Sequence, residues 1–188
     1  MKIARLFGAL GFFSTVACSE PPSDQSLKIV NSNFTLELEA PWVRLPNDDP
    51  EQYNFRDSDR DIDITLSAVG MKAKPDEVEL VASKMIEFRL KAEGQMAEEF
   101  GIKLTITEPI NVARPWGRAI AYYGSDNEGR QFSYSGMVTR DTVISLYMST
   151  KKLTERELMS AMNEVGSKIQ FDRTPISGAK AGNEPKAH

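Results

Sequence analysis

The sequence predicts an α+β domain in which an antiparallel sheet packs against two main helices. Short stretches between Leu27 and Met148 alternate apolar and polar residues, the period of half-buried strands. Two others, after Pro75 and after Thr154, carry apolar residues at helical spacing. The strands in between follow one another through short turns, as in an antiparallel meander with one face covered. Helices covering mainly one face of that sheet are the simplest packing.

The first element is Leu27-Lys28-Ile29-Val30, followed by a pause at Asn31-Ser32-Asn33. Phe34 to Glu39 then alternates, with Phe34, Leu36 and Leu38 pointing inward, and Pro41 ends the strand because proline lacks a ladder donor. Trp42 is expected over an open end of the core. Pro46 to Glu51 is an acidic loop, Tyr53-Asn54-Phe55 a short strand, and Ile62 to Val69 a longer one that Gly70 breaks.

Pro75, Asp76 and Glu77 suit a first helical turn, where proline needs no amide partner and acids face the positive end of the dipole. Val78, Val81, Met85, Phe88, Ala92 and Met96 form the expected buried stripe; Gly94 weakens the last part, so the helix ends there or frays to Phe100, and Gly101 stops it. Ile102, Leu104 and Ile106 predict a strand before Pro109, and Gly117 to Tyr123 another. Gly124 to Gly129 reads as a hairpin turn in which glycine permits positive φ, with Phe132 to Val138 as the return strand. The tight turn Thr139 to Thr142 leads into a strand holding Val143 to Met148. In the last helix Thr154 can cap and Glu157 can reach back to its amide. Leu153 and Leu158 form a hydrophobic staple, Met162, Val165 and Ile169 continue the stripe, and Phe171 closes the core edge.

The ends of the chain read differently. Met1–Ala17 has a basic start at Lys2 and Arg5, a short apolar run and small residues before Cys18, the pattern of an export signal. The Thr15-Val16-Ala17-Cys18 sequence resembles the cleavage site of bacterial lipoproteins. The resemblance implies acylation of Cys18, and Ser19 after it favours an outer membrane, with the domain facing the periplasm. Cys18 is the only cysteine among 188 residues, so the mature chain is expected to hold together without disulfides. Residues 18–26 read as a polar, Pro-containing spacer, residues 27–176 as one folded domain, and residues 177–188 as a disordered tail carrying the single histidine, His188.

With 27 acidic and 23 basic residues the formal charge is −4, which argues against a nucleic-acid partner. No Gly-rich phosphate loop, His-rich metal motif or nucleophile elbow is present, so neither a cofactor nor an enzymatic constellation is expected. Asp57, Asp59 and Asp61 have the spacing of the first ligands of a calcium loop. The pattern then fails, with Ile62 at the turn glycine and Ala68 at the bidentate glutamate, and the cluster reads as a solvated strand and turn without metal. Two loops are candidates for contact with a protein partner. One runs from Trp42 past Asp48, Asp49 and Glu51 to Phe55. The other is Arg114-Pro115-Trp116-Gly117-Arg118, which joins a broad aromatic to two guanidinium groups.

Phe34-Thr35-Leu36-Glu37-Leu38-Glu39-Ala40-Pro41-Trp42, the long helix, the meander and the closing helix together resemble the PsbP/Mog1-like fold, which includes DcrB-like bacterial lipoproteins. The resemblance spans nearly the whole domain and rests on packing motifs. It implies a small binding or assembly protein. Some lipoproteins of similar build neutralise secreted toxins, so an immunity protein is one expectation. A housekeeping lipoprotein of envelope assembly and a small-ligand carrier are the alternatives.

Overall fold

The alternation that begins at Leu27 folds back on itself at once. β1 (Leu27–Val30) and β2 (Thr35–Leu38) pair antiparallel, Leu27 opposite Leu38. The Asn31 side-chain oxygen organises the turn by accepting the backbone N–H of Asn33 and of Phe34, each at 2.8 Å. The computed structural model describes residues 26–176. The signal segment, Cys18, nearly all of the spacer and the 177–188 tail lie outside the described residues.

Eight further strands form one antiparallel sheet: β3 (Val43–Leu45), β4 (Gln52–Asp57), β5 (Ile62–Gly70), β6 (Leu104–Ile106), β7 (Ile110–Arg114), β8 (Gly117–Asp126), β9 (Gln131–Val138) and β10 (Thr142–Thr150). Their spatial order is β3-β4-β5-β10-β9-β8-β6, and β7 pairs with the first half of β8 along the edge that β6 continues. The helices are α1 (Val78–Phe100) and α2 (Glu155–Lys168). The architecture is therefore the expected α+β sandwich, an antiparallel sheet packed against two helices.

The expectation that one face carries both helices is corrected. On one face, Ile64, Leu66, Ile144, Leu146 and Met148 pack with Leu158, Ala161, Met162 and Val165 of α2 and with the β1–β2 hairpin. On the other, Ile120, Tyr122, Phe132, Tyr134 and Val138 pack with Val78 and Ala82 of α1. Strand β9 is buried on both sides at Phe132, Ser133 and Tyr134, so it lies between two cores.

α2 is as the sequence foretells. The Thr154 hydroxyl accepts the Glu157 N–H at 3.5 Å, and the Glu157 carboxylate accepts the Thr154 N–H at 2.9 Å, a complete capping box. Leu158, Val165 and Ile169 have no exposed surface. α1 differs. Its buried face holds Val78, Ala82, Glu93 and Ala97, whereas Phe88, expected in the core, is 71% exposed. Val78, Val81 and Met85 of the expected stripe pack on the sheet; Phe88 leaves it, and Arg89 and Glu93 enter the interface. Gly101 ends it at φ 66°, a left-handed C-cap that suits glycine.

Three local readings also change. β3 and β7 are strands that the sequence did not separate from loops. Gly124 lies inside β8, where a Cβ would fall 2.3 Å from the Phe132 ring, so the turn narrows to the residues around Gly129 (φ 84°). Asp57, read as solvated, is fully buried.

Candidate protein-binding surface

Of the two loops selected for partner contact, Arg114 to Arg118 is a hairpin turn. Arg114 pairs with Gly117 across Pro115-Trp116. Gly117 has φ 147°, and a Cβ there would lie 2.0 Å from the Val138 carbonyl oxygen, so only glycine lets β8 start this close to β9. The turn holds Trp116 half-buried against the α2-side core. Its ring meets Phe171 edge-on, with centroids 5.1 Å apart, and the Arg173 guanidinium lies 4.7 Å from the Phe171 ring centre.

The C-terminal segment completes a cleft here. The Ile176 N–H donates to the Pro115 carbonyl at 2.9 Å. Trp116, Thr139, Arg140, Asp141, Asp172 and Ile176 are among the residues lining a volume of about 130 Å³. The β9–β10 turn forming one wall is fixed by Thr139, whose hydroxyl accepts the N–H of Asp141 and of Thr142. Asp172 accepts the Thr174 hydroxyl and N–H, and these bonds hold its carboxyl below the usual range.

Beside this cleft lies an apolar shelf. Ile110 is opposite Ala121 and Val112 opposite Ala119, and cross-strand partners share a face. Small alanines on β8 leave the two β7 side chains proud, 56% and 36% exposed. α2 packs over β9, β10 and β2. Arg114 ends the shelf and is exposed. Arg118 is not offered to a partner in the same way. Its Nε donates to Asn111 at 2.8 Å and its Nη2 approaches Glu79 of α1 at 3.4 Å, so it ties β7 and β8 to the helix.

The other predicted loop is distant. Asp48, Asp49 and Glu51 are exposed on the β3–β4 connection, at the opposite edge of the sheet from β7. Local bonds shape it, with Asn47 accepting from the Asp49 N–H and Asp49 from the Glu51 N–H. Trp42 is 6% exposed and belongs to the core, with the Arg60 guanidinium 5.4 Å from its ring centre. It cannot present its ring to a partner as read from sequence.

The aspartates with calcium-like spacing point apart. Burial pushes the Asp57 carboxyl up, yet hydrogen bonds from the Arg60 side chain and from the backbone of Arg60 and Asp59 outweigh it and hold the group low. Asp61, at φ 53°, turns to Arg56 (2.7 Å), which also binds Asp63 (2.8 Å). Among the described residues no three His, Cys, Asp or Glu side chains converge as metal ligands.

The sequence reading missed a polar cluster beneath α1. Tyr122, Tyr134 and Tyr147 stand side by side across β8, β9 and β10. Arg89 lies over the rings of Tyr134 and Tyr147 at 5.0 and 5.4 Å and reaches Glu93 at 3.3 Å. The Tyr122 hydroxyl donates to Glu93 at 3.4 Å. Burial raises the Glu93 carboxyl above its ordinary range despite Arg89, Arg130 and Tyr122, and it raises the Tyr122 and Tyr147 hydroxyls as well. Arg89 Nε, Glu93 Oε2 and the Tyr147 hydroxyl are buried without a partner. The available signal was Arg89 and Glu93 four apart on a helix, which ordinarily marks a solvated pair.

No protein-family model matches the chain, and no curated protein matches it. Among solved structures, the chain is similar to cyanobacterial PsbP (CyanoP) from Synechocystis sp. PCC 6803, with a TM-score of 0.62 and 14% identity over 86% of this chain and 100% of that one. A second structure, from Bacteroides thetaiotaomicron, has a TM-score of 0.43 and 12% identity over 80% of this chain and 49% of that one. The first likeness shows a PsbP-like fold.

Proposed function

We propose that this protein is a non-enzymatic lipoprotein of the cell envelope that works by binding another protein. Acylated Cys18 holds it on the outer membrane, facing the periplasm, and the spacer frees the domain to meet its partner. The observation that carries the binding reading is the β7 shelf. Ile110 and Val112 stand exposed on an edge strand, beside a half-buried tryptophan and an exposed arginine. Apolar area flanked by aromatic and guanidinium groups is the usual make-up of an interface centre. The PsbP-like fold supports the same reading only as architecture.

In its sharpest form the partner is a secreted antibacterial toxin, and the protein protects the cell that makes it. The alternatives are an envelope-assembly protein and a small-ligand carrier. A pull-down from envelope extract with full-length protein tests the general reading: a stoichiometric protein partner is expected, and none would overturn it. Co-expression with the recovered partner tests the sharp form. A partner that is toxic alone and harmless with this protein is expected; a harmless partner rules immunity out. Palmitate labelling lost in Cys18→Ala is expected of the anchor, and equal labelling of both forms contradicts it.

A further inference from the structure

β7 is a free edge, and its register fixes which main-chain groups it leaves unpaired. It pairs with β8 alone. Arg114 and Gly117 flank a two-residue turn, and a pair that close can only be one whose residues exchange both N–H···O bonds. Along an antiparallel ladder such pairs alternate with pairs that exchange none. Arg114, Val112 and Ile110 therefore turn their N–H and C=O groups to β8, and Asn111 and Ala113 turn theirs outward. Arg118 Nη2 donates to the Asn111 carbonyl at 3.2 Å, which fits a carbonyl that β8 does not use. The Asn111 N–H, the Ala113 N–H and the Ala113 C=O have no partner among the described residues. The free stretch has defined ends. Pro109 has no N–H, and the Pro115 carbonyl accepts the Ile176 N–H at 2.9 Å.

Edge strands are normally blunted by shortness, charge or proline. β3, at the far edge of the sheet, is three residues long with Arg44 at its centre. β7 is five residues long, and Ile110-Asn111-Val112-Ala113 carries neither charge nor proline. The exposed Ile110 and Val112 side chains stand on one face of the same stretch. Arg114 follows on that face, exposed and without an ion pair among the described residues, whereas Arg118 is held by Glu79.

We propose that the partner on the β7 shelf contributes an extended strand that adds to this edge, with an apolar side chain against Ile110 and Val112 and an acidic one beside Arg114. The inference rests on the protein-binding reading of the shelf and adds how the partner is held. An added strand offers its carbonyls to the Asn111 and Ala113 N–H groups and an N–H to the Ala113 carbonyl, while its alternate side chains fall over the shelf. The acid complements the unpaired guanidinium. A helix laid on the shelf would meet Ile110 and Val112 but leave the three main-chain groups unpaired, because its own backbone is already bonded.

The test is photo-crosslinking in the living envelope, with a photoreactive residue in place of Ile110 in the full-length chain. Ala113→Pro removes an outward N–H that β8 does not use, a position where an edge strand accepts proline. Ala113→Ser keeps the N–H. The position-110 adduct with one protein should fall at least tenfold in Ala113→Pro and persist in Ala113→Ser, with thermal melts of both near native. An adduct that persists in Ala113→Pro would overturn strand addition, and its loss in Val112→Asp would leave the shelf reading standing. No adduct from position 110 in any form would overturn both. An adduct with a second copy of this chain, or within the chain to residues 177–188, would put another occupant on the edge and overturn the proposal. Should Ala113→Pro unfold, hydrogen exchange of the crosslinked adduct decides. Its Asn111 and Ala113 amides should exchange at least tenfold more slowly than in the free protein, and equal rates would overturn strand addition.

Discussion

Glu93→Gln tests how the α1 interface is held. The Glu93 residue is 1% exposed, one oxygen accepts from Tyr122 and Arg89, and the other has no partner. An unpaired buried acceptor costs about 1–3 kcal/mol. Burial raises the folded-state pKa above the ordinary 4.5. The folded form then binds the proton more tightly than the unfolded form, and each tenfold difference in proton affinity is worth about 1.4 kcal/mol. The contribution of Glu93 to stability is full below pH 4.5 and is lost as pH rises through the raised folded value. Glutamine has nearly the same shape and does not titrate. Its stability relative to the native protein should therefore rise with pH, matching it near pH 4 and exceeding it at pH 8. Urea unfolding followed by tryptophan fluorescence at several pH values measures this. If instead the ion pair with Arg89 dominates, Glu93→Gln will lose about 3–5 kcal/mol at pH 8, as broken buried pairs do, and recover in acid. That opposite slope would refute the reasoning.

Leu158→Ala should cost about 2–5 kcal/mol, since the side chain is fully buried under α2, and Thr154→Ala about 0.5–2 kcal/mol through the capping box; urea midpoints near native for both would misplace that helix. Gly117→Ala should destabilise by more than about 1 kcal/mol, because φ 147° and the Val138 carbonyl at 2.0 Å both oppose a Cβ. A thermal melt at the native temperature would contradict it. Calorimetry of EDTA-treated protein with calcium should give no stoichiometric micromolar site, because Asp57 and Asp61 already serve Arg60 and Arg56. A site lost in Asp59→Ala would show otherwise.

What the sequence made legible was what local chemistry decides. Period-two alternation located β2, β5 and β10, and Thr154 with Glu157 marked the start of α2 to the residue. Reading failed where packing decides. Val78, Val81 and Met85 of the apolar stripe do pack on the sheet, but Phe88 does not, and Arg89 and Glu93 enter the interface beside three in-register tyrosines, far apart in sequence, that supply polar partners. Both-face burial of β9 places the helices on opposite sides, and no single-strand period reports that. For the candidate site, Arg114 was legible in an exposed turn, Trp116 is half-buried there, and Trp42, expected over an open end of the core, is core. The shelf was invisible because Ile110 and Val112 stand proud only through alanines on the neighbouring strand.

The most direct test of the central claim is photo-crosslinking in the living envelope. A photoreactive residue replaces Val112 or, separately, Asp48 in the full-length chain. The account predicts a discrete adduct with one protein from position 112, weakened by Trp116→Ala in a domain that still folds, and none from position 48. No adduct from position 112, or an adduct from position 48 alone, would contradict a partner docked on the β7 shelf.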